Sequence, residues 1–252
     1  NVAFAYKALM ANTTGCYNTA SGNYSLHDNT TGSSNTASGY YSLKANTTGG
    51  YNQAFGMQTL TTNTTGAQNA AVGLYALYNN TTANYNTAVG NCTLYANTTG
   101  ANNTGVGFKA LVANTCGNKN AAFGNYALCS NTTGSNNVAM GCVALLSNST
   151  GSYNSAVGVA ALEANTTGAC NTASGYRALY LNTTGTRNTA IGTLSLLTNT
   201  TASYNTALGG CALYANTTGQ ANTASGTYAL KAVSYTHLRA HETLRYLVCR
   251  LL

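Results

Sequence analysis

One apolar position repeats along the chain at a fixed spacing. Leu recurs every 17 residues from Leu9 to Leu230 without an insertion or deletion. Asn opens every unit and also holds the twelfth position up to Asn216, and Gly holds the fifth position in 13 of 14 units, Ala5 being the exception. The consensus is N-T-A-x-G-x-x-A-L-x-x-N-T-T-G-x-x, so the sequence consists of tandem repeats.

The period and its residues predict an all-β fold. Seventeen residues are too few for the common helix-pair repeats of about 33 to 47 residues, and Gly, Asn and β-branched residues are poor helix formers. Asn-Thr-Thr-Gly predicts a turn, and Asn-Thr-Ala-x-Gly and x-x-Ala-Leu predict two short extended segments. We therefore expect a β-solenoid or β-roll of about 14 coils, roughly 65 Å long at the inter-strand spacing of about 4.8 Å.

Side-chain size predicts a narrow coil. The third position is Ala apart from Gly105, and the eighth is Ala, Ser or Thr. The fourth position faces the opposite side of the strand and is Ser in four units, Ser21, Ser38, Ser174 and Ser225. In the other ten it is apolar: Phe4, Phe55, Val72, Val89, Val106, Phe123, Met140, Val157, Ile191 and Leu208.

This apolar stripe favours burial against other chains, hence a homo-oligomer. The alternative is a single-chain solenoid with Leu inside and the fourth position partly exposed. The pattern leaves open whether the Leu row lies inside the coil or adds to the apolar side. Asn side chains stacked from coil to coil are expected to bond along the axis.

The repeat stops at residue 233, where Val replaces the expected Asn. Residues 233–252 match the translation of a transposase-type sequencing-library adapter over eleven residues and, further on, six more. We therefore divide the chain into a repeat solenoid, 1–232, and a non-native tail, 233–252, which is excluded from fold reasoning. His237 and His241 have the i, i+4 spacing of a zinc-binding pair, but adapter codons account for it.

The composition argues against enzymatic chemistry. Charged residues make up 5 % of the chain, with three Asp or Glu and three His, whereas most mechanisms need such groups at a site. We predict no catalytic, cofactor-binding or metal-ligating residue and no cofactor. The net charge of +7 becomes +5 without the tail, and the seven remaining cations do not form the dense basic stripe that nucleic acid requires. The sequence contains no apolar run of 18 residues, so we predict no membrane insertion.

Seven cysteines fall at scattered repeat positions and show no metal-ligand or disulfide spacing. They are interpreted as small apolar substitutions: Cys16, Cys92, Cys116, Cys129, Cys142, Cys170 and Cys211. Asn-Thr-Thr has the form of a glycosylation sequon, but glycans are too bulky for every rung, so a turn and ladder role is favoured. Thr13 and Thr14 with their equivalents suggest an ice-binding row as an alternative. Exposed Tyr side chains suggest sugar stacking as another.

The units Asn-Thr-Ala-Val-Gly (86–90) and Asn-Thr-Ala-Ile-Gly (188–192), followed by Ala-Leu and Asn-Thr-Thr-Gly, resemble repeats of tail-fibre-like proteins of phages, large viruses and environmental bacteria. They resemble more distantly the head repeats of trimeric autotransporter adhesins. The resemblance covers residues 1–232 and implies a trimeric β-roll, a surface location and attachment. We expect a structural shaft or stalk of an extracellular or virion-surface fibre. The alternatives are a self-assembling filament and a carbohydrate- or ice-binding solenoid.

Overall fold

The computed structural model of the chain describes residues 1–232, so the predicted non-native tail and its histidines lie outside the described residues. Within that range the protein is a β-solenoid, as predicted, with one three-residue strand in each coil. The strands are β1 Val2–Phe4, β2 Thr19–Ser21, β3 Thr36–Ser38, β4 Gln53–Phe55, β5 Ala70–Val72, β6 Thr87–Val89, β7 Thr104–Val106, β8 Ala121–Phe123, β9 Val138–Met140, β10 Ser155–Val157, β11 Thr172–Ser174, β12 Thr189–Ile191, β13 Thr206–Leu208 and β14 Thr223–Ser225.

The strands form one parallel sheet in chain order, from β1 to β14. Each residue pairs with the residue at the same repeat position in the next coil, as Ala139 does with Ala156. The register is constant because the repeat has no insertion. At a strand spacing of about 4.8 Å the stacked coils span roughly 65 Å.

The prediction of a second extended segment at x-x-Ala-Leu was wrong. This segment turns instead, with left-handed backbone at the seventh and ninth positions, as at Tyr126 (φ 57) and Leu128 (φ 51). Non-glycine residues reach this region at a cost. Here the backbone amides are bonded to both neighbouring coils: Tyr126 N–H donates to the carbonyl of Phe108 at 2.9 Å, and Leu128 N–H donates to that of Ala144 at 3.0 Å.

The interior is narrow and filled by small residues and one large one per coil. The third-position Ala and the ninth-position Leu are buried, and every ninth-position Leu from Leu26 to Leu213 is fully enclosed. The Leu row therefore lies inside the coil, which settles the placement that the sequence left open. The fourth position points outward and is partly exposed, as at Val89 and Phe123.

Glycine at the fifth position is required by the corner that ends each strand. Gly124 has φ +135, and a Cβ at this residue would lie 2.6 Å from the carbonyl oxygen of Gly141 in the next coil. A side chain is thus opposed by both backbone conformation and coil spacing. Ala5, the one exception, has φ 107 and lies in the first coil.

Candidate interaction surfaces

Two rows of buried Asn side chains run along the inside of the solenoid. In the twelfth-position row, Asn131 Nδ2 donates to Oδ1 of Asn114 at 2.8 Å and to the carbonyl of Gly134 at 3.0 Å. In the first-position row, Asn120 Nδ2 donates to the same Gly134 carbonyl at 2.8 Å. The predicted Asn ladders are therefore present, and the shared Gly carbonyl joins them.

The buried rows also explain the repeated sequon. Asn97 and Asn131 are sequon residues whose side chains are fully buried and hydrogen-bonded. A glycan attached to one of these amides would have to lie outside the coil, so the Asn side chain would have to leave the hydrogen-bonded row. Among the described residues no buried side-chain nitrogen or oxygen lacks a hydrogen-bond partner, so the ladders satisfy these groups without a ligand.

The thirteenth-position Thr row is also structural. Thr47 Oγ1 donates to the carbonyl of Thr64 at 3.0 Å, and Thr132 Oγ1 donates to the carbonyl of Ser149 at 3.0 Å. These hydroxyl protons are used in hydrogen bonds to the next coil. The thirteenth-position hydroxyls are therefore poor candidates for an outward-facing array that orders water.

Aromatic and cationic side chains meet along one corner of the coil, at the sixth, seventh and tenth positions; we call this the aromatic–cation ridge. Tyr78 stacks on Tyr95 of the next coil, with ring centres 5.3 Å apart and planes at 9°. Arg177 lies over Tyr180 at 5.0 Å from the ring centre. Five of the seven cations lie on the ridge, each over an aromatic ring: Lys7, Lys44, Lys109, Arg177 and Lys231.

Sequence positions alone did not show that these cations share one side of the solenoid. They are two to four coils apart along the axis, so the ridge carries widely spaced charges rather than a dense basic stripe. The remaining two cations, Lys119 and Arg187, occupy the seventeenth position. Arg187 donates a hydrogen bond to the hydroxyl of Tyr204 at 2.6 Å.

The outward side of the parallel sheet carries no charge in any coil. We define the outer sheet face as the second and fourth positions of all 14 strands. It combines hydroxyl, small and apolar side chains and contains no Asp, Glu, Lys, Arg or His. The large apolar members are about 40 % exposed, such as Val72 at 43 % and Ile191 at 45 %. Large contiguous apolar patches mark interaction sites, so the fourth-position row makes this face a candidate.

The seven described cysteines are free and scattered. Cys92 and Cys211 share a repeat position but lie seven coils apart, roughly 33 Å at the strand spacing, beyond disulfide reach. Burial raises the pKa of the Cys129 thiol, and the neighbouring charge of Lys109 opposes this shift. These positions fit the interpretation as substitutions within the coil.

A histidine and a carboxylate lie side by side in the second coil. His27 Nδ1 lies 2.5 Å from Oδ1 of Asp28, and Tyr24 packs against the imidazole ring. Residues 1–232 contain no group of three or more His, Cys, Asp or Glu placed to hold a metal ion. Across the same range no helix has the length and hydropathy needed to span a bilayer.

Comparison of the chain with protein-family models, with curated proteins and with solved structures finds no match in any of the three.

Proposed function

We propose that residues 1–232 form the shaft of an extracellular or virion-surface fibre, which spaces an attachment element from its base. One observation carries the proposal: every described coil repeats the same inward Leu and first-position Asn, and all but the coil of Gly105 repeat the inward Ala, with a constant register. Such a structure extends in one dimension and contacts only its neighbours. Its buried polar groups serve the stacking of coils.

The resemblance to tail-fibre-like repeats supports the surface location, and the resemblance to adhesin heads supports a role in attachment. An antibody raised against the chain should label intact cells or virions that carry it. Labelling that requires lysis would contradict the surface location.

The shaft role also predicts that the length of the particle depends on the number of coils. Removing four whole coils, residues 69–136, should shorten the particle by about 19 Å without changing its cross-section in small-angle X-ray scattering. A shortened chain that instead becomes compact or loses its sheet would show that the coils do not act as independent spacers.

Binding of an acidic glycan is a second candidate, favoured by the aromatic–cation ridge. Tyr faces can stack on sugar rings, and the cations beside them suit carboxylated or sulfated sugars. Substituting Arg177→Ala with Tyr180→Ala should weaken retention on an immobilised acidic polysaccharide, since it removes one of the five cation–aromatic pairs of the ridge. Arg187→Ala, which removes the same charge away from the ridge, is the control and should leave retention unchanged.

Growth into a filament by stacking of coils from different chains is the remaining candidate. Unpaired strand edges can template pairing with another chain. Polymers that lengthen with time and concentration would support it. A constant mass over days would argue against it.

A further inference from the structure

We propose that the outer sheet face is the contact between two copies of this chain, packed face to face with their coil order reversed. The inference adds a partner to the proposed shaft. It is argued from the charge, the size and the side-chain order of this face.

The first argument is the distribution of charge. All seven cations and both carboxylates of residues 1–232 lie at the seventh, tenth, eleventh and seventeenth positions. The outer sheet face is free of them over its whole length, although it is solvent-exposed in one chain. Surfaces that stay in water commonly carry interspersed charged side chains. A face covered by another copy has no such need.

The second argument is area. The face is roughly 65 Å long, and two outward residues per strand with their side chains make it about 10 Å wide. Two copies would therefore bury about 1,300 Å² in total, within the range of specific interfaces. Sheets pack face to face about 10 Å apart, so one partner covers the face and the assembly closes at two copies.

The third argument is the order of fourth-position residues. A two-fold axis along the strand direction at Val106 places equal repeat positions opposite each other and reverses the coil order. Each large side chain in the central coils then meets a valine. Phe55 faces Val157, Met140 faces Val72, and Phe123 faces Val89.

The same register also pairs polar residues. Ser38 faces Ser174, and Phe4 faces Leu208, leaving Ser21 opposite Ile191 as the one mixed pair. A shift of one coil in one direction would place all four serines opposite apolar residues. A shift in the other direction places two large side chains, Phe55 and Met140, opposite each other. The Val106 register therefore avoids both the serine–apolar pairs of the first shift and the Phe55–Met140 contact of the second.

The experiment measures mass by sedimentation equilibrium on the full chain with a thiol reductant present. The parent chain of 25.8 kDa is expected to form a dimer. Val89→Lys, and separately Phe123→Glu, should weaken the dimer about tenfold or more, because each places an unpaired charge in the contact. The control is Leu181→Lys, which lies off the face with the same 39 % exposure as Phe123, and it should remain dimeric.

The decisive variant carries Val89→Lys and Phe123→Glu in one chain. In the reversed register each introduced lysine faces the partner's introduced glutamate, so the double variant should recover dimer lost in both single variants. Circular dichroism must show the parent sheet signal in all variants. If the single variants fail to fold, Val89→Thr and Phe123→Thr test the same contact through loss of apolar area.

A monomer or trimer of the parent chain overturns the pairing, as does a double variant that stays dissociated or a Leu181→Lys control that dissociates. The outcome is separable from the shaft proposal. A monomer whose scattering still gives the expected rod length rejects the pairing alone, and a dimer absent from the cell or virion surface rejects the shaft alone.

Discussion

Asn131 and Asn114 are joined side chain to side chain across adjacent coils, with Nδ2 of Asn131 2.8 Å from Oδ1 of Asn114. The same Asn131 accepts from Nδ2 of Asn148 at 2.9 Å. The Asn row thus forms a continuous chain of hydrogen bonds along the inside of the rod. Because the groups are fully buried, each bond is expensive to leave unmade.

Asn131→Ala should strongly destabilise the solenoid. The change leaves the Asn114 oxygen, the Asn148 amide and the Gly134 carbonyl each short of a bond, and we expect a loss of about 2–5 kcal/mol. Thermal unfolding followed by circular dichroism measures it. The control is Asn125→Ala, which removes an exposed side chain that accepts from Phe108 N–H at 3.1 Å. A similar loss in both variants would contradict a special role for the buried row.

The same substitution should lower stability at one of two neighbouring glycines and be tolerated at the other. Gly209→Ala should cost about 2 kcal/mol or more, because φ is +129 and the new Cβ would lie 2.5 Å from the Gly226 carbonyl oxygen. Gly210→Ala meets no atom closer than 3.9 Å and should be tolerated. Hydrogen exchange of the last coils, together with thermal unfolding, compares the two. Equal protection would show that the corner accepts a side chain.

The left-handed turn predicts an unusual gain from glycine. Ala160 has φ 58, so Ala160→Gly relieves backbone strain and should raise the free energy of unfolding by about 0.5 kcal/mol after the entropic cost of glycine. The adjacent Ala161 is buried and is not left-handed, so Ala161→Gly should lower stability by about 1 kcal/mol. The sign of the difference is the test, and chemical denaturation of both variants measures it.

Cysteine reactivity should follow burial. Because burial raises the pKa of Cys129, less thiolate is present at neutral pH and the half-buried thiol is also harder to reach. Alkylation with iodoacetamide at pH 7.5, followed by peptide mass spectrometry, should modify Cys129 more slowly than the exposed Cys170. Raising the pH should increase the rate at Cys129. Unfolding should remove the difference between the two thiols, and a difference that persists would have to come from local sequence.

Much of the fold follows from spacing alone. The fixed 17-residue interval sets the coil count, and Asn at two positions predicts two ladders because identical side chains stack in a parallel solenoid. The segment around Leu128 could not be predicted as a turn, since Leu rarely adopts a left-handed backbone and its cost is met only by bonds to two other coils. The inward placement of Leu depends on that same turn.

The surfaces were harder to anticipate than the core. Lys44 and Arg177 occupy different repeat positions, and only the path of the turn brings those positions to one ridge. The outer sheet face was recognisable as a stripe from strand alternation at positions such as Val89. What that stripe contacts depends on partners that a single chain's pattern does not specify.

The constant register has a consequence for how such a protein changes over generations. Recombination between near-identical gene segments can gain or lose whole repeats, and each gain supplies a coil that already fits the one below and the one above. Reach can therefore vary in uniform steps without a new core being invented. An insertion that is not a multiple of 17 residues breaks both Asn rows at once. Selection can therefore change the length of this rod only by whole repeats.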